Sequence, residues 1–326
     1  MSFQRAITAT AFAVATISQV AAFSAPARAD TVSAIDLLTK FNAVVGGNYS
    51  TTSESEGPVI IGGNLTGSGT FQNNGAATQL PGYGAVNVYG AVGNAHYNAN
   101  GLQVKIGGAM GNSNFSGAAS VTTAATFPYA MGDIWAAVTN FSAGLSTLSP
   151  TTVASALPAA NSNNAVLTAT PTTINGVAGV AVIDIAASLL GSYTGLSVNL
   201  NGATTVIINV SGNFTGKPNF MNGAVWRSAV IWNFEDATVV NLGAQGMQGT
   251  VLAPFATVYN NNPIDGALLA ANYVGHGELH YRPFTGTTTF LTASNKPADT
   301  SVPEPASMAL LGVGLAALGA MRRKRS

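Results

Sequence analysis

Residues 229–286 read AVIWNFEDATVVNLGAQGMQGTVLAPFATVYNNNPIDGALLAANYVGHGELHYRPFTG. The stretch contains short apolar runs whose starts lie 20 and then 17 residues apart, at Ala229–Phe234, Gly249–Ala253 and Gly266–Ala271. Each is followed by a second run of strand length, at Thr238–Leu242, Ala256–Asn260 and Asn272–Val274. Gly, Asn and Pro bound the runs, as expected at turns. Two strands in each repeat of roughly 16–20 residues predict a mainly β chain folded as a β-solenoid, because a single coil cannot bury its apolar face alone.

Similar runs recur upstream, at Val59–Leu65, Val86–Val92, Val104–Met110 and Val206–Gly212, and each ends or breaks at glycine. Between them lies a stripe of apolar residues at helical spacing: Ile134, Trp135, Val138, Phe141, Leu145 and Leu148. We expect one long helix over 133–148, N-capped by Asp133 and stopped by Pro150, that packs alongside the solenoid. A short helix over Ala34–Phe41 is expected to cap the first coil.

Several blocks of this pattern, in this order, resemble the choice-of-anchor A family of ice-binding-like adhesive domains on bacterial surface proteins. The blocks are Phe41-Asn42, Gly47–Tyr49, Glu56-Gly57, Ile61–Leu65, Val230–Phe234, Asp236–Thr238, Gly249–Pro254, Gly277–His280 and Pro283-Phe284. The resemblance implies a β-solenoid with an alongside helix and an adhesive or matrix role, and it implies no catalytic residue. We place this domain at residues 30–290.

The N-terminal residues 1–29 have the pattern of a signal peptide for the Sec translocon. Arg5 supplies the positive charge, Ala6–Phe23 is largely apolar, and Ala27 and Ala29 fit the small-x-small cleavage rule. We expect cleavage after Ala29. A permanent N-terminal anchor is the alternative, and the polar Ser18-Gln19 pair argues against it.

The C-terminal residues 302–326, after a polar linker at 291–301, have three parts. They are the motif Val302, Pro303, Glu304, Pro305; an uncharged span over Ala306–Met321; and the basic residues Arg322, Arg323, Lys324 and Arg325. This order resembles the PEP-CTERM sorting signal, which implies transient inner-membrane anchoring, recognition by an exosortase-type enzyme in a Gram-negative bacterium, and delivery to the outer surface or matrix. The span is short for a bilayer, and the basic cluster should stay cytoplasmic. A permanent membrane anchor is the alternative.

Charge and cysteine content exclude several functional classes. Asp30 to Thr300 contains 11 acidic and 6 basic residues, a formal net charge of −5, and no basic patch that could neutralise nucleic-acid phosphates. The chain has no cysteine, so disulfides, thiolate metal sites and a cysteine nucleophile are excluded.

His276 and His280 flank Glu278 and raise the question of a metal site. The order of these residues, H-G-E-L-H, differs from that of the zinc-binding motif H-E-x-x-H. In a strand, residues four positions apart are separated by about 13 Å, which is too far for both histidines to bind one ion. We therefore predict a polar corner and neither a metal site nor a cofactor.

The acidic residues of the C-terminal coils are Glu235, Asp236, Asp265 and Glu278, with Arg227 and Arg282 as the basic partners available to them. Carboxylates in a groove across adjacent coils would indicate a carbohydrate-active β-helix protein. Their turn-like positions predict solvated carboxylates instead, so we expect no enzyme.

Ice binding is a minor alternative, because Thr-x-Thr occurs at Thr168–Thr172 and Thr285–Thr289 but not once per coil. We expect a structural or adhesive protein of the cell surface or biofilm matrix, in contact with extracellular polysaccharide or other surface components. A carbohydrate-binding or carbohydrate-active protein is the alternative.

Overall fold

The apolar runs of the sequence form parallel strands in the computed structural model, which describes residues 32–72, 80–216 and 218–291. In these residues the chain is mainly β. Its helices are α1 (Ala34–Lys40), α2 (Met131–Ser146), α3 (Ala187–Leu190) and α4 (Gly223–Trp226), with 3-10 turns at Ala154–Ala156, Arg227–Ala229 and Thr289–Leu291. The predicted signal peptide, linker, sorting motif, hydrophobic span and basic tail lie outside the described residues.

The strands are short except where they cross the middle of the largest sheet. In the first half they are β1 (Ala43–Val45), β2 (Tyr49–Thr51), β3 (Glu54–Ser55), β4 (Val59–Ile61), β5 (Leu65–Gly67), β6 (Gly69–Phe71), β7 (Val86–Val88), β8 (His96–Asn98), β9 (Gln103–Ile106), β10 (Asn114–Ser116) and β11 (Ser120–Thr123). After α2 they are β12 (Ala165–Thr168), β13 (Thr172–Ile174), β14 (Val177–Ala186), β15 (Gly195–Asn199), β16 (Thr205–Ser211), β17 (Phe214–Thr215), β18 (Asn219–Phe220), β19 (Val230–Phe234), β20 (Val239–Asn241), β21 (Met247–Gln248), β22 (Thr250–Asn260), β23 (Ile264–Asp265), β24 (Leu268–Gly275) and β25 (Leu279–His280).

The largest sheet joins the two halves of the chain in its middle. Its strand order is β11-β9-β7-β4-β1-β24-β22-β19-β16-β14-β13, and β1 pairs with β24 in parallel, with Ala43 opposite Leu268. A second sheet has the order β10-β8-β6-β3-β25-β23-β21, and a third has the order β12-β15-β18. Pairing is parallel except between β13 and β14. The described sheets are thus mixed and do not close on one another.

Central strands of the largest sheet, such as β4 and β19, are largely apolar because both of their faces are covered. Val59 and Ile61 point into the core between the sheets, while Ile60 points the other way, and all three are fully buried. The second face packs against α1 and α2. Helix α2 contributes Ile134, Val138, Phe141 and Leu145 to this cluster.

The long helix is confirmed, with two corrections. It begins two residues earlier than predicted, at Met131, and its N-cap is Ala130, which makes no side-chain capping bond. Asp133 lies in the first turn instead, where its negative charge still suits the helix dipole. Trp135 is only half-buried, and its ring covers Gly46, where a Cβ would come within 2.7 Å of the ring.

The predicted role of the first helix as a cap is wrong. Helix α1 buries Leu37 and Leu38 against the same outer sheet face that α2 covers. Strand β1, which follows it, is a central strand, so there is no end of the sheet for α1 to cap. No helix in the described ranges is long and apolar enough to cross a membrane.

Candidate functional site

Three neighbouring strands of the second sheet bring polar side chains into one outward row. Gln248 on β21 is opposite Asp265 on β23, and Asp265 is opposite His280 on β25. The residues before them, Met247, Ile264 and Leu279, are buried in the core. Because side chains alternate across a strand and neighbouring strands lie about 4.8 Å apart, the three polar groups stack directly on one another. We call this set, with Arg227 and Glu278, the ion-pair ladder.

Asp265 is the centre of the ion-pair ladder. Its Oδ1 lies 2.6 Å from His280 Nδ1, and its Oδ2 accepts a hydrogen bond from Gln248 and lies 3.6 Å from Arg227 Nη1. Its side chain is only 14% exposed. A carboxylate that is this buried needs such partners, because an unpaired buried charge is strongly disfavoured. The prediction of a solvated turn carboxylate is therefore wrong for Asp265.

His280 contacts a carboxylate with each ring nitrogen. Nδ1 meets Asp265, and Nε2 lies 2.8 Å from Glu278 Oε2. Ionised carboxylates only accept hydrogen bonds, so both contacts are satisfied only when the imidazole carries both protons. Partial burial lowers the pKa of His280, but the bonds to Glu278 and Asp265 outweigh it, so the pKa is raised above its usual value. The ladder therefore favours a positively charged imidazole between two carboxylates.

The first coil extends this charged row. Glu56 Oε2 accepts a hydrogen bond from the backbone nitrogen of Tyr281 at 2.9 Å and one from Arg282 Nη1 at 3.2 Å. Sequence reasoning missed both Glu56 and Gln248. Gln248 lies 17 residues before Asp265, a repeat length that could have placed it in the row. Glu56 had no such signal, because it reaches the row only through the pairing of β3 with β25.

The remaining predicted residues lie apart from the ladder. Glu235 is half-buried, and burial, with the nearby charges of Asp236 and Asp184, raises its pKa above the usual value. Asp236 is exposed and accepts a hydrogen bond from the backbone of Gly212 at 2.7 Å. His276 is exposed and contacts Thr52 Oγ1.

The structure thus brings Asp265 and Glu278 together, with Arg227, and separates them from Glu235 and Asp236. His276 does not join His280, which keeps the two histidines of the H-G-E-L-H sequence in different surroundings. Among the described residues, no group of three or more His, Cys, Asp or Glu side chains is arranged to hold a metal ion.

A second outward surface, which we call the polar face, crosses six strands. One residue from each strand stands opposite the next, in the order Thr215, Asn241, Tyr259, Val274, Ser50 and Thr66. All six are at least partly exposed, and the adjacent residues that point inward are buried. The row contains no charged side chain.

An asparagine ladder borders the polar face. Asn272 Oδ1 accepts a hydrogen bond from the backbone nitrogen of Asn48, Asn48 Oδ1 from that of Asn64, and Asn64 Oδ1 from that of Ala91, each at 2.9 Å. These bonds link neighbouring strands of the largest sheet at Asn272 in β24 and at the residues that precede β2 and β5. The strands of the polar face are therefore held in register by their backbone pairing and, at the border of the face, by the side-chain bonds of the asparagine ladder.

A family model described as "Putative Ice-binding-like adhesive domain" matches residues 34–281, most of the chain. The chain belongs to this ice-binding-like adhesive domain family. A second model, the PEP-CTERM protein-sorting motif, matches residues 301–325. The motif implies processing by an exosortase-type system, and the two matches together imply an exported cell-surface protein. Neither description names an enzymatic activity.

A solved structure described as an ice binding protein from an Antarctic bacterium, Flavobacteriaceae, is similar to this chain. The two are 14% identical, the match covers 75% of this adhesive-domain chain and 82% of that chain, and the TM-score is 0.33. No curated protein matches the chain.

Proposed function

We propose that this chain is a structural or adhesive protein of the outer cell surface or extracellular matrix, which acts by contact through its polar face. The observation that supports this is the in-register row from Thr215 to Thr66, which offers side chains from six consecutive strands. Surfaces of this kind sum many weak contacts and need no single reactive group.

We also propose that residues 30–290 form a β-solenoid. Strands of three sheets follow one another along the chain, and most pair in parallel with the strand of a neighbouring repeat, as coils of a solenoid do. The two halves would form one stack, joined where β24 meets β1.

The chemistry of the polar face suits carbohydrate or other neutral, hydroxyl-rich surfaces. Asn241, Ser50 and Thr66 offer donors and acceptors without charge, and Tyr259, which is 40% exposed, offers an aromatic surface with a polar tip. Phe255 and Val239 extend the apolar part on the same strands, with 55% and 38% exposure. Extracellular polysaccharide of a biofilm is the partner that we propose for this face.

Export and sorting complete the proposal. The Sec translocon would deliver the chain, with cleavage after Ala29, and the span 306–321 would hold it in the inner membrane of a Gram-negative bacterium. An exosortase-type enzyme would then recognise Val302, Pro303, Glu304 and Pro305. The basic residues 322–325 would remain cytoplasmic until the tail is removed.

The test is a surface-retention assay in the producing cells. We expect retention to fall severalfold when Ser50, Thr66, Asn241 and Tyr259 are replaced together by glutamate, and to change little when each is replaced alone. Full retention by the fourfold variant would contradict the proposal.

The matched control places the same four charges elsewhere. Asn164, Thr168, Thr173 and Ser188 are exposed and lie outside the polar face. Their fourfold glutamate variant should keep wild-type retention, and an equal loss would show that added charge, and not the polar face, matters.

A carbohydrate-active protein is the second candidate, because Asp265 and Glu278 approach one another across adjacent coils at His280. Both oxygens of Asp265 are already engaged within the protein, which leaves it poorly suited to attack or protonate a substrate. Ice binding is less favoured, because the row of the polar face carries threonine only at Thr215 and Thr66.

A further inference from the structure

The coil that ends the N-terminal half of the stack has an uncovered core. Val121 on β11 continues the inward row of Val104, Val86 and Val59, which pair strand by strand. Those three valines are fully buried, but Val121 is 39% exposed. The difference arises because no strand of the described ranges pairs with the outer side of β11.

This terminal coil also lacks the usual protection of a sheet edge. Natural edge strands carry lysine, proline, bulges or covering loops, which prevent pairing with another chain. Residues 111–126 read GNSNFSGAASVTTAAT and contain no charged residue and no proline. All four residues of β11 are exposed. The edge is therefore open and electrically neutral, although residues 30–300 carry a formal net charge of −5.

The opposite end of the sheet is protected. There β13 folds back antiparallel on β14 through the two-residue turn Asn175-Gly176, and the pairing is irregular between Thr172 and Ile174. Pro171 precedes the strand. At this end Asn175 Nδ2 donates a hydrogen bond to the carbonyl oxygen of Phe290 at 2.8 Å. Residues 289–291 therefore lie at the protected end, and the open coil lies at the other.

Within the molecule, two coils distant in sequence associate by parallel pairing; a two-fold axis between two copies would make the corresponding pairing antiparallel. The last coil pairs with the first through β24 on β1, β24 on β2 and β25 on β3, although these strands are more than 200 residues apart in sequence. A coil of this cross-section thus covers another on more than one side at once. An extended peptide would cover a single edge and leave the core row at Val121 exposed.

We propose that the terminal coil, residues 111–126, binds the same coil of a second copy of this chain. Strand β11 of one copy lies antiparallel to β11 of the other across a two-fold axis, and each coil covers the Val121 of its partner. Such a contact uses the same surface on both copies and closes on itself, so it yields dimers and not filaments. The pairing rests on the structure alone. Its use, to join copies at the cell surface, rests on the proposed adhesive function.

The expected affinity is modest. Each side contributes about 16 residues, fewer than the roughly 20–30 of a standard interface. A dissociation constant of about 10 μM would suit a surface protein, because many copies displayed together add avidity.

Analytical ultracentrifugation of the full-length chain in mild detergent tests the proposal. We expect a monomer–dimer equilibrium for wild type and about a tenfold or greater weakening in Val121→Lys. The matched control is Val239→Lys, because Val239 is also a strand valine and is 38% exposed, but lies beside the polar face. It should dimerise as wild type does. Circular dichroism and thermal unfolding show that both variants are folded.

A cysteine pair locates the contact. The chain has no cysteine, so Thr122→Cys is a unique thiol. We expect a short bis-maleimide to link Thr122→Cys into dimers and to leave Thr66→Cys monomeric. Wild type that stays monomeric up to about 1 mM, higher oligomers, or equal weakening in Val239→Lys would each overturn the proposal. Surface retention is scored separately, so a dimer without retention rejects the adhesive function but not the pairing.

Discussion

Ser142 on helix α2 donates a 2.5 Å hydrogen bond to Asn233 Oδ1 on β19, 91 residues further along the chain. Asn233 Nδ2 donates in return to the carbonyl oxygen of Ser142 at 3.1 Å and to Asn209 Oδ1 at 3.0 Å. Both asparagines are buried beneath the helix. The apolar contacts of α2 are not directional, so these bonds decide where along the sheet the helix rests.

We expect Asn233→Ala to lower the free energy of unfolding by about 3 kcal/mol, because it leaves buried polar partners without a bond and opens a small cavity. Urea denaturation measures the change. Asn98→Ala is the control, since Asn98 is exposed and its only described bond is long, 3.5 Å to Thr70. It should stay within about 0.5 kcal/mol of wild type. A loss below about 1 kcal/mol in Asn233→Ala would show that the helix is held by apolar packing alone.

Tyr97→Phe should leave stability unchanged or raise it by up to about 1 kcal/mol. The Tyr97 hydroxyl is buried and has no hydrogen-bond partner in the described part of the chain, while its ring stacks on Phe115. Burial raises the pKa of Tyr97 to about 12, so the group is neutral at ordinary pH. The matched control is Tyr273→Phe, which removes a 2.8 Å bond to Asn260 and should cost about 1–2 kcal/mol. Thermal unfolding of the two variants should rank them in this order.

Stability should fall as pH rises through the folded-state pKa of His280. This pKa is raised above the unfolded value of about 6.5, so the charged imidazole stabilises the fold fully below about pH 6.5 and ceases to do so once it is deprotonated. The charged groups that face it are Asp265, Glu278 and Glu56. His280→Gln should flatten the pH dependence of the urea midpoint on the alkaline side.

His276→Gln is the control for that measurement, because His276 contacts Thr52 and not a carboxylate. It should keep the wild-type pH dependence. If both variants behave like wild type, the contacts of His280 with the two carboxylates do not contribute to stability.

Single alanine substitutions of Glu235, Asp236, Asp265 and Glu278 should change surface retention only modestly, and wild type should release no sugar from extracellular polysaccharide. Loss of a catalytic carboxylate lowers the rate about 100-fold or more, so in an enzyme one of these single substitutions would nearly abolish depolymerisation. Asp265→Asn is included because it keeps the size of the side chain. Depolymerisation that one substitution abolishes would promote the carbohydrate-active candidate.

Replacement of Pro303, Glu304 and Pro305 by alanine should leave export intact and block removal of the tail, because the signal peptide and the hydrophobic span remain. The protein should then collect in the inner-membrane fraction at its longer mass, as immunoblotting would show. Lys296→Ala, in the linker, should be processed normally. Normal release of the triple variant would make the tail a simple anchor.

The repeats of apolar runs predicted the long apolar strands of the largest sheet, because each run is strand-length and bounded by turn residues, but they did not predict the short strands of the second sheet. Val206–Gly212 is an example, since it contains β16 almost residue for residue. The long helix could be predicted as well, because its apolar stripe has one period throughout. The first residue of the helix, Met131, could not be predicted, because the N-cap residue Ala130 makes no side-chain capping bond.

The charged residues of the ion-pair ladder could be identified from the sequence, but their contacts with one another could not be predicted. Asp265 and His280 were both candidates, yet their contact depends on the register of two strands, which the composition of a strand does not determine. Glu56 joins them only because the first coil meets the last. Sequence patterns describe neighbours along the chain, and this part of the ladder is made from residues that are distant in it.

The pairing of β1 with β24 also decides when the fold can close. Ala43 pairs with Leu268, so the contact that joins the two halves has a very long sequence separation and a correspondingly high entropic cost of loop closure. A chain that emerges N-terminus first presents β1 as an open edge until nearly all of the domain has followed. If the chain were cut between residues 126 and 131, one fragment would contain β1 and the other would contain β24. The two fragments should therefore reassemble when mixed, as a split protein does.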